Sequence, residues 1–399
     1  MYRIAADYPV GGKPTYGLQP NFYYLSHEQA KLGNTVRVIA RRHGQQPSLE
    51  HDEEVEIHRV DNPFNISAYR MLRDLASKDP QGSSLIHTHS TSGLSFGGVK
   101  RTLGLPLFAH VHGASRSSRM PQRLKGVVDE EFSQTKMWYY YFRERLFWSS
   151  ADMVLSVSDA LRRDLITYYG IQEKRVRTVY NGVDTQLFYR RKGENPGVLK
   201  RFQGKRIILY VGHFGPRKGL IFLIRAMKHI SKEIPDAVAV GIGGVPSWLG
   251  KQQYWNVLND EIKKNDVGDK MLLLDRVPNE QLPAYYSSAD VFVLPSFYEA
   301  FAKVVLEAMA CEDPIVITRE GGPREAIQEG KTGLLVNYGS AEEIAHAVIA
   351  VLQDERRARE MGALARKRVE QQFTWGAVAE RINSAYDEVV KGSVMERTG

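Results

Sequence analysis

Two doubly wound α/β domains are what this sequence predicts, and three observations predict them. Short apolar runs alternate with longer amphipathic stretches through most of the chain, the pattern of parallel strands covered by helices on both faces. That alternation occurs twice. The length, 399 residues, also exceeds the size at which one hydrophobic core keeps growing, so two domains of roughly 150 to 200 residues are expected.

The elements follow in order. Residues Met1 to Ala6 read as a first strand rather than as a charged-then-apolar leader. Pro9 to Pro20 separates that strand from a helix running to Lys31-Leu32-Gly33-Asn34. Further strands are expected at Thr35–Ala40, Ser84–His87, Leu107–His112, Met153–Val157 and Arg177–Tyr180. Thr185 to Gln203 is polar and basic and holds Gly193 and Pro196, so it reads as a linker. The second set of strands is expected at Arg206–Val211, Ala237–Gly241, Met271–Leu274, Val291–Leu294, Pro314–Ile317 and Gly333–Val336. The domains are therefore set at 1–190 and 191–374, with 375–399 as a helix returning to the first.

Composition bounds the function. With 43% hydrophobic residues, 25% charged residues and no apolar run near the roughly 18 to 20 residues of a membrane span, the chain reads as globular. One cysteine, Cys311, rules out an internal disulfide and a cysteine metal cluster, and a reducing cytoplasm fits. A net charge of +8 favours anionic partners, and most of the excess lies in residues 1–190. No nucleic-acid module or continuous basic stripe is present, so nucleic acid is not expected.

Residues 289 to 326 carry the strongest local signal. Glu307 stands within Val304-Val305-Leu306-Glu307-Ala308-Met309-Ala310, where an ionised carboxylate costs several kcal/mol, roughly, unless a donor meets it. Glu299 precedes it in the loop after the strand Val291–Leu294, the end of a parallel strand at which open α/β sheets bind ligands. Ala300, Phe301 and Ala302 are expected to open the next helix, where backbone N–H groups favour phosphate and Lys303 adds charge. The competing reading is a solvated loop acid and a salt-bridged helix acid. A second cluster, Gly212-His213-Phe214-Gly215-Pro216-Arg217-Lys218-Gly219, lies between a strand and a helix. There glycines admit a diphosphate and Lys218 neutralises it, unless the loop is only a solvated turn. Gly241-Ile242-Gly243-Gly244 reads equally as a ligand loop or a tight turn.

These residues resemble family-4 glycosyltransferases. The likeness rests on Pro295-Ser296, Glu299, Phe301, Leu306 to Cys311, Pro314, Gly321-Gly322 and Glu325. It extends to the loop of Lys218, to Ala151-Asp152, Asn181 to Asp184 and Phe373-Thr374-Trp375. It implies the GT-B fold, two Rossmann-like domains facing a cleft, and a retaining transfer of sugar from a nucleoside-diphosphate sugar without a bound metal or other cofactor. By resemblance, Glu299 contacts the donor sugar, Glu307 the ribose, and Lys218 the phosphates, with Arg217 or His213 weaker. His213 departs from a common arginine. Val277, in Leu274-Asp275-Arg276-Val277-Pro278, borders the base, and Asp275 and Glu312 replace frequent glycines, which leaves UDP, GDP and ADP donors all open.

In the first domain the family places an active-site histidine at the strand end Phe108 to Gly113, which is His112 here. It also has a glycine pair near the start that approaches the donor phosphate. Counting back from Gly33 favours Gly17 over Gly11-Gly12. His87-Thr88-His89-Ser90 has no acidic partner at metal-ligand spacing and reads as structural or acceptor-lining. Arg116, Arg119, Arg123 and Lys125, with the aromatic run Trp138 to Trp148, suit either a peripheral membrane contact at the inner face or helix core beside a solvated face. The expected acceptor is a sugar, a lipid-linked sugar or a small molecule. A nucleotide-sugar epimerase or hydrolase, or a non-catalytic nucleotide-sugar binding protein on the same fold, is the alternative.

Overall fold

The computed structural model describes residues 1–4, 8–9, 14, 17–63, 66–78, 84–89, 100, 102–115, 134–246, 249 and 251–398. The described residues form two compact units, one of those up to 115, 134–182 and 375 onward, the other of residues 183–374.

The first unit holds an eight-stranded sheet in the order β3-β4-β2-β1-β5-β6-β7-β8. Its strands are β1 Tyr2–Ile4, β2 Val36–Arg41, β3 Leu49–Asp52, β4 Val55–Val60, β5 Ile86–Thr88, β6 Leu107–Val111, β7 Met153–Ser156 and β8 Val176–Thr178. All pairs are parallel except β3 with β4. That hairpin was not legible in the sequence, because Leu49 to Val60 is rich in charge and its turn carries no glycine or asparagine. Glu53 supplies the left-handed turn instead, at φ 52°. Helices α1 Gln19–Lys31, α2 Ile66–Ser77, α3 Gln134–Ser150 and α4 Asp159–Tyr169 lie between the strands. Ser158 caps α4 by accepting from the Leu161 N–H at 3.1 Å, and Gly170 ends it in the left-handed conformation.

The second unit holds a wholly parallel six-stranded sheet, β11-β10-β9-β12-β13-β14. Its strands are β9 Arg206–Val211, β10 Ala237–Ile242, β11 Met271–Leu274, β12 Val291–Leu294, β13 Ile315–Thr318 and β14 Leu334–Val336. Both β9 and β12 are buried almost throughout, which is why they read as continuous apolar runs. The helices are α5 Leu220–Glu233, α6 Lys251–Asn265, α7 Leu282–Ser287, α8 Lys303–Ala310, α9 Ala341–Gln353 and α10 Glu355–Gln372. The chain then re-enters the first unit as α11 Trp375–Thr398, which packs on α1, the Trp375 ring stacking on Tyr24 at 5.7 Å. It leaves the first unit at Gly182, ahead of residue 190. Thr185 to Gln203 does not hang free as a linker: Leu199 is buried, Arg191 N–H donates to Ser287 Oγ, and Arg366 reaches the Phe188 carbonyl. Its polar side chains face outward while its backbone is held by the second unit.

Candidate active site

In the second sheet the strand order reverses between β9 and β12, so the loops leaving their C-terminal ends diverge and open a crevice, the usual ligand position of an open α/β sheet. Lys218 stands on the first loop and Glu299 on the second, and their side chains meet with Nζ 2.7 Å from Oε1. Both are only 14% exposed, so this pair is held in low dielectric rather than dissolved in water. One backbone bond joins these two loops behind it, and a second ties the Glu299 loop to the loop after β13. The Phe297 N–H donates to the Arg217 carbonyl at 2.8 Å, and the Gly322 N–H donates to the Glu299 carbonyl at 2.9 Å. Gly219 is required for the approach: its φ is 73°, and a Cβ there would stand 1.9 Å from the Pro295 carbonyl oxygen.

Gly212 opens the β9 loop, and Gly243 is packed against it, since a Cβ on Gly243 would lie 2.2 Å from the Gly212 carbonyl oxygen. Gly243 is thus needed for this close approach of the two loops, whichever ligand they serve. His213 is largely enclosed, and burial first, then the Lys218 charge, lowers its pKa to about 4. It is neutral at pH 7. A neutral imidazole meets a phosphate through a hydrogen bond rather than through charge, unlike the arginine it stands for.

The Glu307 carboxylate has a protein donor that the sequence did not reveal. Tyr286, fully buried on α7, donates its hydroxyl to Glu307 Oε2 at 2.9 Å. The donor that the apolar surroundings demand is thus supplied in part by the protein itself. One oxygen is fixed by Tyr286, and the side chain is half-buried rather than enclosed. Burial still raises its pKa, opposed by Lys303 and by the Tyr286 bond. Lys303 lies one helical turn before it, and burial lowers the lysine pKa to about 8 against the favourable Glu307 charge. Helix α8 begins at Lys303, with Ala302 as an N-cap that has no side-chain hydrogen bond, so Ala300 and Phe301 precede the helix rather than open it. Phe301 and Ala302 are buried, the Phe301 ring 6.0 Å from that of Phe373. Val277 is half-buried on the loop after the edge strand β11. No spacing rule pointed to Tyr286. Its one available signal was that a carboxylate in an apolar helix demands a donor from somewhere.

In the first unit, Gly17 takes φ 59° in the turn that starts α1, and a Cβ there would meet nothing within 4 Å. His112 lies just beyond β6, half-buried, with Nε2 2.9 Å from His89 Nδ1. The segment after it is pinned to α3. Glu144 accepts from the Ser115 N–H, the Ser115 hydroxyl and, at 2.6 Å, the Tyr169 hydroxyl. Burial raises the Glu144 pKa despite these bonds. Helix α3 is not aromatic core throughout. Tyr141, Phe147 and Trp148 face inward, whereas Trp138, Tyr139, Tyr140, Phe142 and Leu146 are exposed, with Arg143 over the Tyr139 ring. The candidates Gly11, Gly12, Tyr16, Ser90, Arg116, Arg119, Arg123 and Lys125 lie outside the described residues.

Comparison with known proteins decides the class. The chain matches the model of glycosyltransferase family 4 over residues 17–187 and that of glycosyl transferases group 1 over residues 192–368. It belongs to the family-4 glycosyltransferases. Over 402 aligned residues this glycosyltransferase is 25% identical to mannosylfructose-phosphate synthase of Agrobacterium fabrum, covering 95% of the chain and 88% of the relative. Its fold is shared with sucrose-phosphate synthase of Thermosynechococcus elongatus at a TM-score of 0.74 and 24% identity, over 98% of this chain and 99% of that one. It is shared also with Anabaena HepE, solved with UDP and glucose, at a TM-score of 0.71 and 19% identity, over 97% and 99%. The glycosyltransferase thus has the GT-B architecture of two Rossmann-like domains. Among its described residues no helix is long and apolar enough to cross a membrane.

Proposed function

We propose that this glycosyltransferase moves a hexosyl group from a nucleoside-diphosphate sugar to a sugar acceptor with retention of configuration, and without a bound metal at the phosphates. The observation that carries the reading is the Lys218–Glu299 pair at the point where the second sheet reverses its strand order. Lys218, aided by Arg217, neutralises the leaving diphosphate, and Glu299 holds the donor sugar. Glu307, oriented by Tyr286, binds the ribose, and Val277 borders the base. The backbone of Gly212, His213, Phe301 and Ala302 and the charge of Lys303 complete the donor side. Gly17 is assigned to the donor phosphate, and His112 to the transferred sugar. Catalysis then rests on positioning and on stabilising charge that develops on the diphosphate. A phosphate oxygen of the leaving group accepts the acceptor's proton as the new glycosidic bond forms on the same face.

UDP is the base to test first, because HepE is described with UDP and glucose. Sugar phosphates come first among acceptors, because mannosylfructose-phosphate and sucrose-phosphate synthases are among the relatives. Mass spectrometry of incubations with UDP-, GDP- and ADP-sugars and a sugar-phosphate panel, in EDTA, tests the reading, and NMR of the product's anomeric proton reads the stereochemistry. Activity that appears only with added divalent metal, or an inverted product, would remove the corresponding part. The exposed aromatic face of α3 supports a peripheral contact with anionic membrane on the cytoplasmic side. Absence of co-sedimentation with anionic liposomes even at low salt would remove that contact.

A further inference from the structure

We infer that His87, His89 and His110 form a binding site for one imidazole-preferring divalent ion, Zn2+ or a close relative, at the ends of β5 and β6. The topology makes the cluster. Parallel register sets His87 opposite Phe108 and Thr88 opposite Ala109, which brings His89 level with His110 one step further on. Side chains two apart on a strand share a face, so all three imidazoles point the same way. They are 0%, 4% and 3% exposed, and one ring nitrogen of each lies within 4.8 Å of the others. Zn–N bonds of about 2.0 to 2.1 Å in tetrahedral geometry place ligand nitrogens roughly 3.4 Å apart, so the rings, which stack with His87 on His89 at 4.5 Å, must turn their edges towards the ion to close on it.

The surroundings are those of metal-bound histidine. The Tyr386 hydroxyl on α11 meets His87 Nδ1, and His112 Nε2 meets His89 Nδ1 at 2.9 Å. Outer partners of this kind fix the tautomer and direct ligation through Nε2. No carboxylate belongs to the set, so it discriminates against Mg2+, Ca2+ and Mn2+, which take oxygen ligands, and suits Zn2+, Co2+, Ni2+ and Cu2+. The ion's effect is structural. It ties β5 to β6 and, through Tyr386, fixes α11 against them.

The test uses full-length, tag-free protein stripped with EDTA and then freed of chelator. Titration with Co2+ is expected to develop visible ligand-field bands saturating at one ion per chain, displaced by Zn2+. Zn2+, and not Mg2+, is expected to raise the thermal midpoint. His87→Phe and His110→Phe, which keep ring volume, are each expected to weaken binding at least about tenfold. His346→Ala, exposed on α9, is expected to leave it unchanged. Saturation below one ion per chain, or full-strength binding in either Phe variant, would overturn the site. Should one variant fail to fold, the wild-type stoichiometry and the other variant decide. None of these readouts depends on sugar transfer, so their failure is distinct from failure of the proposed activity.

Discussion

Replacing Glu299 by glutamine should strengthen the binding of a nucleoside diphosphate that carries no sugar, even as it destroys turnover. Lys218 is held by Glu299 at 2.7 Å, with both side chains 14% exposed. Unit charges about 4 Å apart attract by about 4 kcal/mol at an effective dielectric near 20, and desolvation offsets part of this. Exposed pairs give about 0 to 1 kcal/mol and removal of one partner of a buried pair costs about 3 to 5, so about 2 kcal/mol is a reasoned value for this coupling. A diphosphate that takes Lys218 must overcome it. Relieving the competition converts, at 1.4 kcal/mol per decade, to roughly 30-fold tighter binding as an upper value. Lys218→Met should do the reverse, weakening the same ligand by about tenfold or more through loss of a charged phosphate contact. Isothermal titration of wild type, both single variants and the double variant with UDP, or with whichever diphosphate gives the largest thermal shift, measures the cycle. Refutation is a Glu299→Gln protein that binds the diphosphate as weakly as Lys218→Met. Glu299 would then be positioning Lys218 rather than competing with the phosphate for it.

Tyr286→Phe deletes a hydroxyl that donates to Glu307 and should cost about 1.5 to 3 kcal/mol at pH 7, read as a lower denaturant midpoint, with weaker nucleotide binding. An unchanged affinity would separate Glu307 from the ribose. Lys303 titrates at about 8 in the folded chain, below its ordinary 10.5, so the unfolded chain binds more protons between those values. Lys303 should therefore contribute a rise in stability from pH 8 towards 10.5, opposed above about pH 9 by Cys311, whose pKa burial raises, so it is read as the difference between wild type and Lys303→Met, and the fall in diphosphate affinity above pH 8 should vanish in that variant. Gly219→Ala places a methyl 1.9 Å from the Pro295 carbonyl at φ 73°, so it should cost about 2 kcal/mol or more and lower turnover by parting the Lys218 and Glu299 loops. Normal stability and turnover in that variant would show the approach to be dispensable.

Much of the fold was legible because strands buried on both faces must be written as apolar runs. Arg206–Val211 and Val291–Leu294 were placed to the residue for that reason, and Met271–Leu274, half-buried at the sheet edge, by its apolar run alone. The β3–β4 hairpin was not, because β3 is an exposed edge strand, β4 buries His58 and Arg59 where an apolar run would stand, and Glu53 turns without glycine. Glu299, Glu307 and Lys218 were legible as chemistry out of place in apolar or glycine-rich surroundings. Tyr286 was invisible, since a buried tyrosine looks like core until its hydroxyl is located.

The sequence by itself determined the two-domain parallel architecture and marked Lys218, Glu299 and Glu307 as polar groups out of place, because burial periodicity and local charge are written residue by residue. Only the tertiary structure decided which of those residues meet. Lys218 and Glu299 are 81 positions apart, and Tyr286 and Glu307 are 21 apart, yet each pair is in contact. The four histidines at the ends of β5 and β6 likewise become neighbours through strand register alone. Contacts of this kind are fixed by which strands lie side by side and how their loops close, a property of the folded sheet that no local pattern encodes.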